Sequence, residues 1–114
     1  MYARNVKGLT LDNVRLEVKN PDFRPAVIFD HVIDAAVNNL SVQGNQQAES
    51  TFRFIDTQDV LMTATRILTP AAVFLQVEGT ENNNIKIDGG DLSKAATLLT
   101  FSRGATNKVV KVRE

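Results

Sequence analysis

Apolar residues recur along the chain at a nearly constant step of about 25–26 residues. Segments 8–16, 34–42, 59–67 and 84–92 align with one another, and residues 109–112 open a fifth copy. Each copy has two apolar positions that are two residues apart, with one residue between them. This alternation predicts a β-strand with one buried face. The first inward column is Leu9, Ala35, Val60, Ile85 and Val110, and the second is Leu11, Val37, Met62, Ile87 and Val112.

Each copy continues through a bend into two further strands. Two residues after the second column stand Asn13, Asn39, Ala64 and Gly89. Asn and Gly tolerate a left-handed backbone, so we predict a sharp bend at this position. The next strand places one more apolar column at Leu16, Val42, Ile67 and Leu92. A third apolar patch closes the copies at residues 26–29, 52–55, 73–77 and 98–101.

Three short strands in every copy of the repeat predict a solenoid. We predict an all-β, single-stranded right-handed parallel β-helix of about four coils and a final strand, with residues 1–114 as one domain. Successive coils would stack about 4.8 Å apart. An antiparallel β-sandwich also has frequent turns, but it gives no reason for a constant step.

Composition narrows the function classes. Thirteen Lys and Arg balance thirteen Asp and Glu in 114 residues, so nothing favours a nucleic-acid or membrane partner. The chain has no Cys and only His31 among histidines, which excludes thiolate and multi-histidine metal sites. We therefore predict no cofactor and no metal. The first residues lack the apolar stretch of a signal peptide, and the location of this chain stays open.

Three stretches resemble a known enzyme family. They are residues 2–16 (YARNVKGLTLDNVRL), 21–26 (PDFRPA) and 68–79 (LTPAAVFLQVEG). They resemble the C-terminal coils of polygalacturonase-like glycoside hydrolases, a pectin-degrading family with the pectin-lyase-like β-helix fold. The resemblance implies two-carboxylate hydrolysis of pectic polysaccharide, a parent family that is usually secreted or periplasmic, and a chain that forms the C-terminal part of a longer enzyme.

The motifs of that family's active site are missing from the sequence. The family uses Asn-x-Asp, Asp-Asp, Gly-His-Gly and Arg-x-Lys on consecutive coils, and only Asn20-Pro21-Asp22 matches one of them, as letters in a loop. No catalytic residue therefore carries over, and we expect the chain to be inactive by itself. The alternative is a non-catalytic structural or carbohydrate-binding β-helix module.

Two carboxylates are the best candidates for acid–base chemistry. Asp30 and Asp56 each follow a third strand and lie one repeat step apart, so stacked coils would place their Cα atoms about 5 Å apart. Like charges that close raise one pKa, as a general acid requires. The alternative is that both are turn residues at strand ends, which we favour. His31 is likewise interpreted as a turn residue, because the spacing implies no partner for it.

The remaining polar positions give weaker signals. Asp34 and Asp59 precede the first strands, but two carboxylates do not fill the oxygen shell of Ca²⁺. Arg53 and Gln76 face outward from third strands, where they could contact carbohydrate. Polar outward faces are general in β-helices, so this signal is not specific.

The two ends of the predicted solenoid differ. The first coil would leave Leu9, Leu11 and Leu16 without a coil below them. The last strand carries Lys108, Lys111 and Arg113, which are charges that discourage edge pairing. We therefore expect a two-fold homodimer through the uncapped N-terminal coil.

Overall fold

A computed structural model describes residues 1–17 and 22–113. In chain order its strands are β1 (Tyr2–Arg4), β2 (Lys7–Asp12), β3 (Arg15–Leu16), β4 (Val27–Asp30), β5 (Ile33–Asn38), β6 (Ser41–Val42), β7 (Phe52–Ile55), β8 (Gln58–Thr63), β9 (Arg66–Ile67), β10 (Ala71–Glu78), β11 (Asn83–Asp88), β12 (Ala95–Ser102) and β13 (Val110–Arg113). A single 3₁₀ turn, Asn107–Val109, precedes the last strand within these described residues, so Lys108 lies in this turn and not on the strand as predicted.

The strands form three sheets in which every pair is parallel. Sheet 1 has the order β1-β4-β7-β10-β12, sheet 2 the order β13-β11-β8-β5-β2, and sheet 3 the order β3-β6-β9. Each sheet takes one strand from successive copies, so the chain is a parallel β-solenoid of about four turns. The predicted middle strand at Leu92 is wrong, because the fourth copy contributes only an isolated bridge between Arg66 and Asp91 there. An antiparallel sandwich is excluded, because none of these pairings is antiparallel. The right-handed sense of the coil stays a prediction.

The predicted inward columns are confirmed residue by residue in sheet 2. Leu9 pairs with Ala35, Ala35 with Val60, Val60 with Ile85 and Ile85 with Val110. The second column, Leu11 to Val112, has the same register. The middle members of both columns are buried, whereas Leu9 and Leu11 in the first coil are only partly buried. Burial therefore increases from the first coil toward the middle of the solenoid.

Aromatic side chains fill the core behind sheet 1. The rings of Phe29 and Phe54, which are paired in neighbouring strands, stack with centroids 5.1 Å apart and planes 5° apart. Phe52 packs edge-on against Phe54, with ring centroids 6.5 Å apart, and at a tilt of 56° against Phe74, with centroids 5.1 Å apart. Offset or edge contacts between buried rings add to the gain from burying their area. These phenylalanines therefore hold the coils together where sheet 1 faces the core.

The predicted bends are confirmed by the backbone. Asn13, Asn39, Ala64 and Gly89 all have a left-handed φ, between 56° and 67°. The side chains of Asn13 and Asn39 also stack, because Nδ2 of Asn39 donates a hydrogen bond of 2.6 Å to Oδ1 of Asn13. Ala64 occupies the next place in this column with φ 58°, which costs an alanine about 1–2 kcal/mol.

We expect the substitution Ala64→Asn to stabilise the protein. Asparagine tolerates the left-handed backbone better than alanine, and its amide would extend the Asn13–Asn39 hydrogen bonding by one coil. The free energy of unfolding in urea should rise by about 1 kcal/mol. Ala36→Asn is the control, since Ala36 lies in an extended strand where asparagine is unfavourable. An unchanged or lower stability of Ala64→Asn would contradict the idea that this bend is strained.

Candidate functional site

The outward side of sheet 1 carries two ladders of side chains, which together form what we call the outer face. Strand pairing aligns Tyr2, Ile28, Arg53, Gln76 and Thr100 in one ladder, and Arg4, Asp30, Ile55, Glu78 and Ser102 in the other. Side chains alternate along a strand, so these positions point away from the core formed by the intervening residues. Both sets of residues singled out in the sequence, the carboxylate Asp30 and the pair Arg53 and Gln76, lie on or beside this face.

Arg53 and Gln76 meet on the outer face at a buried carboxylate. Nε of Arg53 lies 2.6 Å from Oε2 of Glu78, and Nε2 of Gln76 donates to Oε1 of the same residue at 3.3 Å. The side chain of Glu78 is only 5% exposed, and that of Arg53 is 27% exposed. The hydrogen bond to Glu78 raises the pKa of Arg53, although burial acts in the opposite direction. The charge of this arginine is therefore already neutralised within the protein.

Asp30 and Asp56 are not stacked as their spacing predicted. Asp30 pairs with Ile55, and Val27 pairs with Phe52, so the offset between β4 and β7 is one residue shorter than the separation of the two carboxylates. Asp56 consequently aligns with His31, one residue beyond each strand. The physical reason is the packing of Phe29 on Phe54, which sets the register of these two strands.

His31 lies between the two carboxylates. Its φ is 55°, and the left-handed backbone turns the chain sharply after β4. Nδ1 of the ring is 2.5 Å from Oδ1 of Asp30, and Nε2 is 3.8 Å from Oδ2 of Asp56. The interpretation of His31 as a turn residue is confirmed by its backbone, but the structure supplies two polar partners that the sequence spacing did not imply.

Asp30 is surrounded by hydrogen-bond donors and positive charge. Burial alone would raise its pKa, but the hydrogen bonds from His31 and Tyr2 and the charge of Arg4 outweigh that effect and lower the pKa below its ordinary value of 3.8. The Tyr2 hydroxyl donates to Oδ2 of Asp30 at 3.1 Å, and Nε of Arg4 lies 3.7 Å from the same oxygen. Asp30 is therefore an ionised acceptor at neutral pH.

The Asp56 carboxylate is held by the backbone of the next coil. Its Oδ1 accepts a hydrogen bond of 3.1 Å from the backbone N–H of Glu81. Gly79 makes room for this carboxylate, because a Cβ at that position would overlap Oδ1 of Asp56. The glycine also has φ 98°, a conformation that other residues rarely adopt. Asp56 thus has one oxygen bound to the next coil and the other turned toward His31.

A cleft adjoins the outer face at the N-terminal end of sheet 1. Its volume is about 520 Å³, and Tyr2 and Ile28 of the first ladder form part of its wall together with Arg24, Gln43 and Asn45. Arg24 is paired with Asp22 at 2.6 Å, which places a charged pair at the rim. The exposed ring of Tyr2 therefore joins the cleft to the polar cluster around Asp30.

The other sequence candidates lie elsewhere. Asp34 and Asp59 do not precede the strands as predicted: they are the second residues of β5 and β8, each with a positive φ. Asp59 accepts a hydrogen bond of 2.9 Å from Asn84. In residues 1–17 and 22–113 no group of three or more histidine, aspartate or glutamate side chains is close enough to hold a metal. Asn20 and Pro21 of the formal Asn-x-Asp match lie outside the described residues.

Sequence reasoning missed two members of this site. The repeat step did not identify Glu78 as a neighbour of Ile55. The two residues are paired across β10 and β7, but their separation along the chain is shorter than the regular step of 25–26 residues. Tyr2 belongs to the first coil, where no preceding copy marks its register. The adjacency of Asp30 and His31 was the one signal available, since neighbouring residues at a strand end can pair when the second has a left-handed backbone.

The fold and the cluster define this chain as a parallel β-solenoid with a polar outer face on one sheet. No known protein family matches the chain, and no curated protein or solved structure matches it either. Among the described residues no helix is long and apolar enough to cross a lipid bilayer.

Proposed function

We propose that the outer face of sheet 1 binds polysaccharide and that the chain does not cleave it. On this proposal the chain is the C-terminal β-helix part of a polygalacturonase-like glycoside hydrolase that acts on pectic polysaccharide. The observation that carries the binding role is the pair Arg53 and Gln76, which are aligned across neighbouring strands and joined by Glu78.

The outer face offers what sugar recognition needs. A carbohydrate presents hydroxyl groups that both donate and accept hydrogen bonds, together with apolar C–H faces. Amide, guanidinium and carboxylate groups recur on the face at the strand spacing of about 4.8 Å, so an extended chain can be contacted at successive coils. Tyr2, which is 57% exposed, adds an aromatic surface at one end.

The ionisation of Asp30 is the reason to expect no cleavage. Hydrolysis of a glycosidic bond requires one carboxyl group that stays protonated until it donates to the leaving oxygen. The lowered pKa of Asp30 means that this carboxyl is ionised at neutral pH and cannot be that acid. Glu78 is held in its ion pair with Arg53, so it is not free to act as a nucleophile or base.

The second candidate is a structural or carbohydrate-binding β-helix module that has never had a catalytic half. What favours this candidate is that the active-site motifs Asp-Asp, Gly-His-Gly and Arg-x-Lys do not occur in the sequence. If that module binds carbohydrate, it uses the same outer face. The homodimer through the N-terminal coil also stays a prediction, for which the partly exposed Leu9, Leu11 and Leu16 provide the apolar surface.

Affinity electrophoresis tests the binding role. The purified chain should migrate more slowly in native gels that contain polygalacturonate or neutral galactan than in gels without polysaccharide. Gln76→Ala should reduce this retardation severalfold, because it removes an amide from the outer face. Gln58→Ala is the matched control, since Gln58 lies on β8 in sheet 2 and bonds to the carbonyl of Glu81.

Two results would contradict the proposal. Equal mobility with and without every polysaccharide would overturn the binding role, and equal effects of Gln76→Ala and Gln58→Ala would place binding elsewhere. Release of reducing ends from polygalacturonate by the purified chain, lost in Asp30→Asn or Asp56→Asn, would show that the carboxylates are catalytic after all.

A further inference from the structure

Nε2 of the His31 ring and Oδ2 of the Asp56 carboxylate lie side by side at the end of sheet 1. Asp30 is ionised and can only accept, so the proton in its 2.5 Å hydrogen bond with His31 belongs to Nδ1. A neutral imidazole with Nδ1–H has a lone pair on Nε2. That nitrogen faces Oδ2 of Asp56 at 3.8 Å, a separation too long for a hydrogen bond between them.

Both groups are held in place by the fold. Asp30 fixes the orientation of the His31 ring, and Asp30 is itself held by the Tyr2 hydroxyl and Arg4. The backbone N–H of Glu81 binds Oδ1 of Asp56, and its Oδ2 accepts no hydrogen bond from any residue in the described ranges 1–17 and 22–113. Two groups that are held in place and are not hydrogen-bonded to each other form a preorganised site for a ligand that binds both of them.

We infer that the His31 ring, in its neutral form with a lone pair on Nε2, and Oδ2 of Asp56 together bind a vicinal diol of an uncharged sugar unit. Two hydroxyl groups on adjacent carbon atoms supply two donors next to each other, one for each acceptor. The inference rests on the proposed polysaccharide-binding function and adds the substrate class, which is the diol of a neutral sugar.

Charge favours a neutral sugar over a uronate at this position. A uronate carboxylate brings only acceptors, and it would lie next to the negative charges of Asp30 and Asp56. The cation at the centre of the outer face, Arg53, is paired with Glu78 and is therefore not available to compensate. Arg4 is exposed, but its guanidinium already lies 3.7 Å from Asp30. A neutral galactose or arabinose unit avoids this repulsion.

Calorimetric titration with neutral galactan tests the inference. Asp56→Asn should weaken binding about tenfold, because an asparagine amide places a donor toward Nε2 of His31 and removes a charged acceptor. Asparagine keeps the backbone conformation at this position accessible, where φ is 44°. Asp59→Asn is the matched control: it makes the same change of charge at a residue with φ 57° on sheet 2.

Chemical modification of the galactan and NMR of the His31 ring give two further tests. Periodate oxidation breaks the carbon–carbon bonds between vicinal hydroxyls, so oxidised galactan should lose its affinity for the wild-type chain. Since His31 is the only histidine, nitrogen NMR of its ring also reports the tautomer without assignment. We expect Nδ1 to carry the proton and the Nε2 signal to shift when galactan is added.

The outcomes separate this inference from the function on which it rests. Galactan binding that is equal in wild type and Asp56→Asn, retained after periodate oxidation, or weaker than polygalacturonate binding would overturn the diol site while leaving polysaccharide binding in place. An Nε2-protonated ring in the free protein would also overturn it. Failure of the wild-type chain to bind any polysaccharide would overturn both proposals.

Discussion

Replacing Ile87 with aspartate should prevent the protein from folding cooperatively. Ile87 is 1% exposed and lies in the second inward column of sheet 2, paired with Met62 on one side and Val112 on the other. A carboxylate there would have to lose its hydration shell or take up a proton, which costs several kcal/mol in addition to the lost apolar contacts. Domains of this size are stable by only about 5–15 kcal/mol.

The neighbouring position provides the control for this prediction. Lys86 is in the same strand but points to the opposite, exposed face, so Lys86→Asp should change the free energy of unfolding by no more than about 0.5 kcal/mol. Circular dichroism during urea unfolding measures both variants. If Ile87→Asp gives too little soluble protein, Ile87→Val should still lower stability by about 1 kcal/mol. A wild-type unfolding midpoint for Ile87→Asp would show that the register of this column is wrong.

Removing the positive charge of Arg53 should be the most destabilising change on the outer face. In Arg53→Met the carboxylate of Glu78, 5% exposed, loses its ion-pair partner. Among the described residues it then keeps Gln76 and Ser102 as side-chain hydrogen-bond donors. Breaking a buried pair from one side costs about 3–5 kcal/mol. Because Arg53 is 27% exposed and partly solvated, we expect a loss of about 2–3 kcal/mol.

A double substitution distinguishes the lost charge partner from lost packing. Arg53→Met with Glu78→Leu removes both charges and fills the space with apolar side chains, so it should recover most of the stability lost in Arg53→Met alone. The four proteins of this cycle are compared by urea unfolding. A single variant Arg53→Met within about 0.5 kcal/mol of wild type would mean that the pair contributes no more than an exposed surface salt bridge.

The repeat in the sequence was sufficient to predict the solenoid. Inward columns such as Leu9–Ala35–Val60 follow from alternation along each strand and from a step that hardly varies in sheet 2. The bends were also readable, because Asn13, Asn39 and Gly89 are residues that accept a left-handed backbone. The bend at Ala64 was also predicted correctly, because its position in the repeat indicated a bend although alanine disfavours a left-handed backbone.

The candidate site was only partly predictable. Arg53 and Gln76 were predicted to face outward from third strands, and the structure adds that they are direct partners across β7 and β10. The pairing of Asp30 with Asp56 was wrong by one residue, and Glu78 and Tyr2 were missed. Sheet 1 shows why: the separation along the chain is different in each of the pairs Phe29–Phe54, Ile55–Glu78 and Gln76–Thr100, so no single offset describes it.

The sequence by itself determined the architecture of this protein, since a short-range alternation and a regular step specify which residues face inward in every coil. Only the tertiary structure decided what meets on the outer face. Loops of unequal length precede the strands of sheet 1, and the stacking of Phe29 on Phe54 then selects the register. That register brings His31, rather than Asp30, opposite Asp56, and contacts between coils of this kind depend on packing that no spacing along the chain records.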